Sequence, residues 1–194
     1  NGNLIIRSDS FTHSWDYNDR LIKIHLPKAQ QRFGMMAGGF TPLPRILTYG
    51  YDPAGQRIWV RPPLTATTTY PSQYFNTDGT TIQEHLFANG APVATVEIGT
   101  TTQIYWNSQD HLQSTSVVTD SIAGIREQVE YYAFGEQKSD VGGRKEQRKY
   151  TGHEYDANPD YTYAGARYLN SKFGKFLSED PESRDNPNQF LEDP

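Results

Sequence analysis

Two aspartates stand before prolines near the end of the chain, Asp180-Pro181 and Asp193-Pro194. A pair of close carboxylates could hydrolyse a peptide bond, because mutual repulsion splits their pKa values so that one activates water and the other donates a proton. An Asp before Pro is also an ordinary turn residue, since Pro biases its neighbour towards extended geometry. The five histidines, at 13, 25, 85, 111 and 153, show no short metal-ligand spacing, so no metal is assigned. Ser114 follows His111 closely, but no Gly-x-Ser-x-Gly elbow is present, and His111 reads as a hydrogen-bonded structural residue. No Walker or dinucleotide-binding loop exists. The aromatic residues, 13% of the chain, could stack on sugars, although cross-strand pairing is their ordinary use in sheets.

The elements that would position these residues are short strands. Leu21–Leu26, Ile58–Val60, Val93–Ile98, Gln103–Trp106 and Thr115–Thr119 read as β-type runs, the first alternating strictly with period two. Turn chemistry separates them, at Asn18-Asp19, Pro53-Ala54-Gly55, Thr77-Asp78-Gly79, Asn89-Gly90, Ala123-Gly124, Gly142-Gly143 and Asn158-Pro159. This pattern predicts an all-β, antiparallel architecture with helix limited to short turns. A repeat is also visible. Trp15-Asp16-Tyr17-Asn18-Asp19-Arg20-Leu21-Ile22 aligns with Tyr51-Asp52-Pro53-Ala54-Gly55-Gln56-Arg57-Ile58, the first read as having one residue fewer in its turn. Asn1–Ile5 matches the second half of such a unit. Residues 27–45, with both methionines and several Gly and Pro, read as a long loop or short helical insertion. Residues 138–149 concentrate Lys138, Arg144, Lys145, Arg148 and Lys149, and read as a solvated hairpin tip or, alternatively, a basic recognition patch.

The chain has 194 residues, a net charge of −5 and a pI near 5.5. The acidic balance argues against nucleic-acid binding, and no apolar run is long enough to span a membrane. Apolar content, at 35%, leaves little for a large two-layer core. Without Cys there is no disulfide or thiolate chemistry. The sequence starts without Met or a signal peptide and reads as a piece of a longer polypeptide, whose order is expected to depend on adjoining repeats or another subunit covering its edges.

Two longer motifs lie between Tyr105 and Pro181. Asp110-His111-Leu112-Gln113-Ser114-Thr115, Val118-Thr119-Asp120 and Gly124 lead into Tyr132-Ala133-Phe134-Gly135-Glu136. Tyr150–Asp156, Tyr163-Ala164-Gly165-Ala166-Arg167-Tyr168 and Gly174–Pro181 follow. Together with the aromatic-Asp units these resemble the Rhs/YD-repeat family and its Rhs-associated core domain. The chain departs from the usual pattern at Gln113, at Leu169-Asn170-Ser171, at Lys175 and after Pro181.

The resemblance implies residues 1–104 as YD-repeat sheet, 105–181 as the associated core and 182–194 as a truncated tail. It implies a sheet wound spirally into a hollow shell with the core as plug, as in Rhs and Tc-type toxins, enclosing a C-terminal polymorphic toxin of the same polypeptide. It further implies a secreted or cell-surface protein without a cofactor, whose partners are adjoining repeats, the toxin domain, another shell subunit or a cell-surface receptor. Two alternatives come with it. One is aspartate-dependent autoproteolysis, in which Asp180 matches the family Asp-Pro, Arg167 matches the Arg of the Ala-Arg-Tyr motif and Asp193 is the candidate partner aspartate. The other is a cell-surface adhesin or glycan-binding module, since the same repeats build adhesion proteins.

Overall fold

A computed structural model of the chain describes residues 3–6, 11–27, 33–36, 39–42, 45–144 and 146–181. Their elements are strands and a single 3₁₀ turn, so the all-β expectation holds. Twelve strands form one antiparallel sheet: β1 (Thr12–Trp15), β2 (Leu21–His25), β5 (Ile46–Tyr51), β6 (Arg57–Arg61), β7 (Thr68–Ser72), β8 (Phe75–Thr77), β9 (Ile82–Ala88), β10 (Ala91–Ile98), β11 (Thr102–Gln109), β12 (Thr115–Asp120), β13 (Ile125–Tyr131) and β14 (Gln137–Gly142). Each pairs with its neighbour in sequence, interrupted only by β3 (Phe33–Met36) and β4 (Gly39–Pro42), which pair with each other. The segment expected as a loop or short helix therefore contains a hairpin, to whose strands Phe33 and Phe40 bring β-favouring aromatic residues. A four-stranded sheet follows, β15 (Glu154–Asp156), β16 (Tyr161–Tyr163), β17 (Tyr168–Asn170) and β18 (Lys175–Phe176).

The aromatic-Asp units form the same structure twice. In both, the Asp amide bonds the carbonyl four residues on, and its own carbonyl accepts the amide three residues on. The Asp carboxylate then caps the loop. Asp16 accepts the amides of Asn18 and Arg20, both at 2.9 Å, and Asp52 accepts that of Gln56 at 2.8 Å. The two loops are equal in length, Asp16–Arg20 and Asp52–Gln56, which corrects the gap in the alignment. The fourth residue takes a positive φ in both, +57° at Asp19 and +86° at Gly55. Asp can adopt that conformation where Gly is the usual choice, so no residue is missing. Trp15 and Tyr51 occupy equivalent strand ends, paired with Leu21 and Arg57 after a shift of register. The turn of the third unit, at Asn1-Gly2, lies outside the described residues.

The same loop recurs where no repeat was read. Asp110 accepts the amides of Leu112 and Ser114, and Asp120 those of Ile122 and Gly124, at 2.7–3.0 Å. Tyr132–Glu136 repeats the backbone pattern without the Asp. At the positive-φ position these loops carry Gln113 (+65°), Ala123 (+63°) and Gly135 (+84°). A side chain there costs roughly 1 kcal/mol relative to Gly. Gln113→Gly and Ala123→Gly should each raise unfolding free energy by about 0.5–1 kcal/mol in urea titrations, whereas Asp110→Ala should lower it by about 1–2 kcal/mol.

Laid flat, twelve strands would span about 50 Å. The two ends of this sheet come much closer. Gly174 abuts the ring of Phe134, in the β13–β14 loop, so closely that a Cβ would lie 2.8 Å from it. Three residues on, the Leu177 carbonyl accepts the Leu4 amide, beside β1, at 2.8 Å. Three residues reach at most about 11 Å. The sheet is therefore strongly curled without closing on itself, and residues 174–177 tie its first and last hairpins together. Phe11, Leu21, Ile24, Leu26, Leu47, Tyr49, Val60 and Tyr70 form the core on its inner face against Tyr161, Tyr168 and Leu177 of the small sheet.

Candidate functional site

The inner face of β6 to β13 carries buried polar residues, among them Arg57, His85, Thr95, Asn107 and Glu127. Alternation explains the positions, since residues two apart share a face. What needs explanation is how charge survives there. The segment from Arg144 to Asp156 crosses this face and brings the opposite charges with it.

Among the described residues Arg57 is a deeply enclosed cation, its side chain 1% exposed. It bonds Glu154 through Nη2 and Asp156 through Nη1, the latter at 2.8 Å. Its guanidinium lies 4.3 Å from the ring centre of Tyr163 and 4.9 Å from that of Tyr70. The Tyr163 hydroxyl also accepts the Arg57 amide at 3.0 Å. Glu154 is shared with Arg148, whose guanidinium faces Phe87. Burial raises the Asp156 carboxyl above its usual range, although Arg57 pulls against it.

A second group lies under β10 to β14. Lys149 bonds Glu127 at 2.6 Å and Asp140 at 3.1 Å. Burial raises the Glu127 carboxyl even against the Lys149 bond. Arg144 joins Glu97 and Glu146 and stacks on Tyr105 at 3.8 Å. Burial works against the Glu146 charge, but Arg144 beside it prevails and holds the carboxyl below its usual range. The charged run at 138–149 is therefore divided: Lys138 stays exposed beside Glu130, whereas Arg144 and Lys149 are enclosed by Glu97 and Glu127 of the sheet and by Glu146 and Asp140 of the run itself. Lys145 lies outside the described residues.

His85 links this group to the sheet. Its Nε2 lies 2.8 Å from Asn76 Nδ2, and its Nδ1 lies 3.1 Å from Thr95 Oγ1, which donates to Glu146. Nε2 must accept from the Asn76 amide, so the network assigns a neutral imidazole protonated at Nδ1. Burial lowers its pKa below 6.5. The folded state then binds fewer protons than the unfolded one, and stability falls as pH drops through about 6.5 towards the lowered value. His153, lowered by burial and then by Arg148, contributes in the same direction. Wild-type protein should lose stability between pH 7.5 and 5.5, and His85→Gln should lose measurably less. Equal pH slopes in urea titrations would contradict this.

The residues singled out for chemistry fall elsewhere. Arg167 Nη2 meets the Asp180 carboxylate at 2.6 Å on the half-exposed surface, with its guanidinium 3.8 Å from the centre of the Phe176 ring. Asp193 lies outside the described residues, as do the acidic residues from Glu182 onward. Ser114 is buried, and its Oγ accepts the Thr151 amide at 3.1 Å, while His111 is exposed in the preceding loop. Those two are not a catalytic pair. Among the described residues no three His, Asp or Glu side chains gather as a metal site, and no helix is long and apolar enough to cross a membrane.

Comparison with known proteins places this architecture. No protein-family profile and no curated protein matches the chain. Solved structures do. The crystal structure of TcdB2-TccC3-Cdc42 superposes with a TM-score of 0.72 at 19% identity. That of TcdB2-TccC3 without the hypervariable C-terminal region gives 0.73 at 18%, and the Photorhabdus luminescens Tc holotoxin pore gives 0.69 at 17%. This chain shares its fold with Tc toxin chains. The match covers 93% of this chain but only 9% of each of those three, so the likeness is one of a segment.

One signal in the sequence could have exposed the buried network. In the ungapped alignment Arg57 stands opposite Leu21, which is buried in the core. A cation at the core position of a repeat requires a partner, and the Glu154-Tyr155-Asp156 run supplies two carboxylates on one face of a strand.

Proposed function

We propose that this chain is a wall segment of a β-shell that encloses a C-terminal polymorphic toxin of the same polypeptide, with residues 105–181 forming the part that closes it. The observation that carries the reading is the curled sheet whose inner face is occupied by residues 146–177, held there by buried ion pairs. A wall of this kind separates an enclosed polypeptide from bulk solvent. The likeness to Tc toxin chains supports it, and a toxin shell of this kind acts outside the producing cell. The test uses the full-length parent polypeptide. Its cargo should resist added protease while the shell is intact and become sensitive in the Arg57→Met variant. Cargo digested at the same rate in both proteins would refute enclosure by this segment.

A second reading is aspartate-dependent self-cleavage. The observation favouring it is that Arg167 and Asp180, far from obvious partners in sequence, meet at 2.6 Å. In this reading Asp180 is one carboxylate of the pair, Arg167 positions it and Asp193 is the candidate second. One carboxylate takes a proton from the attacking water while the other protonates the departing amide nitrogen. The parent protein should then cleave itself, and Asp180→Asn should stop cleavage without unfolding the sheet. Cleavage persisting in Asp180→Asn removes the reading.

A further inference from the structure

The outer face of the sheet changes character along its length. Over β1, β2, β5 and β6 it presents Ser14, Lys23, Thr48 and Arg61, which are paired in one row. Trp59 on this part is already used. Its indole packs against Gly50, where no space is left for a Cβ, and Arg61 stacks on it at 5.4 Å.

Over β9, β10 and β11 the alternation is inverted. The inner face there is polar, with Gln83, His85, Thr95, Glu97 and Gln103, and the aliphatic residues point outward. Leu86, Ala94 and Trp106 form one cross-strand row, and Val96 and Ile104 form the next with Glu84. Val117 and Val141 continue the surface across β12 and β14, with Gln128 between them. Leu86, Ile104, Trp106, Ile125 and Val141 are 38–68% exposed. Together they leave on the order of 500 Å² of apolar surface uncovered, the size of the largest apolar patch on a soluble domain, which often marks an interaction site.

We propose that this outer face is a self-association surface, on which a second copy of the chain packs sheet against sheet about a two-fold axis running along β11. Three features specify a second copy. A pleated aliphatic face fits another such face, and aligned sheets pack about 10 Å apart. Two copies would bury on the order of 1,000 Å², the lower end of what a specific interface needs. The charges at the flanks are complementary under that axis. Rotation about β11 lays β9 of one copy over β13 of the other, so Glu84 approaches Arg126 in both halves of the interface. Arg126 already holds Asp120 through Nε at 2.7 Å while remaining half exposed, and it can take a second carboxylate. In an isologous pair each contact is made twice.

Sedimentation equilibrium of the chain from about 1 µM to about 200 µM brackets the micromolar Kd expected of such an interface. The wild type should dimerise, and Trp106→Glu should weaken association by at least about 100-fold, with circular dichroism confirming an intact sheet. Glu84→Arg and Arg126→Glu should each be monomeric alone, one through facing arginines and the other through facing glutamates. An equimolar mixture of the two should dimerise again, because every facing pair then has opposite charges. A wild type that stays monomeric at every concentration would overturn the proposal. So would a dimer unaffected by Trp106→Glu, which would place the contact at a sheet edge, or a mixture that associates no better than its components.

Discussion

Arg57→Met should cost about 3–5 kcal/mol of unfolding free energy, the usual result of removing one partner from a buried ion pair. Methionine fills much of the volume beside Tyr70 and Tyr163, so the loss arises mainly from Glu154 and Asp156, left facing one another without their shared cation. Three further measurements make the result diagnostic. Asp156→Asn in the Arg57→Met background should recover part of the loss, because the neutral amide no longer needs compensation and Glu154 keeps Arg148. The deficit of the single variant should shrink as pH falls. A carboxyl whose folded pKa is raised takes up a proton more readily in the folded state, so acidification favours folding on its account, and the absence of Arg57 raises Asp156 further. Hydrogen exchange in β15 to β17 should accelerate more than in β9 to β11. A loss below about 1 kcal/mol would show that burial of the tyrosines alone holds the small sheet in place.

Gly135→Ala should cost roughly 2–5 kcal/mol, from two separable sources. The backbone at Gly135 has φ of +84°, where a side chain costs about 1–2 kcal/mol. A Cβ there would also overlap the ring of Tyr150, whose hydroxyl bonds the Ala133 carbonyl at 2.9 Å, and the overlap costs about 1–3 kcal/mol. A double-mutant cycle with Tyr150→Ala separates them. With the ring removed, Gly135→Ala should retain only the backbone cost. Equal effects in both backgrounds would mean that the loop does not seat Tyr150. Since Phe134 beside it receives Gly174, this loop anchors residues 146–177 at two points.

The strands at Leu21–Leu26, Val93–Ile98 and Thr115–Thr119 were legible because strict alternation in the first, β-branched runs in the others and Asn-Gly or Asp-led turns between them are local signals. The Asp loops were legible where an aromatic precedes the Asp. They were missed at Asp110 and Asp120, where Gln109 and Thr119 hold that position and Gln113 and Ala123 stand in for the expected glycine. The buried ion pairs were not legible, because Arg57 meets Asp156 across 99 residues and charge density alone cannot distinguish a solvated run from an enclosed one. The polarity of β9 to β11 misleads for a related reason. Alternation fixes that Thr95 and Val96 face opposite ways, but only the chain crossing below determines which side is the interior. At the candidate cleavage site the motif brought Asp180 and Arg167 to notice, and their salt bridge depends on the turn after β18.

The order of the strands bears on how such an object is made. Each strand of the large sheet pairs with the one before it, so every hairpin can form from residues already present while the rest is still being synthesised. The bond between Leu4 and Leu177 is the opposite case: it joins residues 173 apart in sequence, and the entropic cost of that closure falls due after the wall stands. During synthesis the curved wall therefore stays open on the side that residues 174–177 later shut. Residues 146–173, which come to lie against its inner face, are made within that interval.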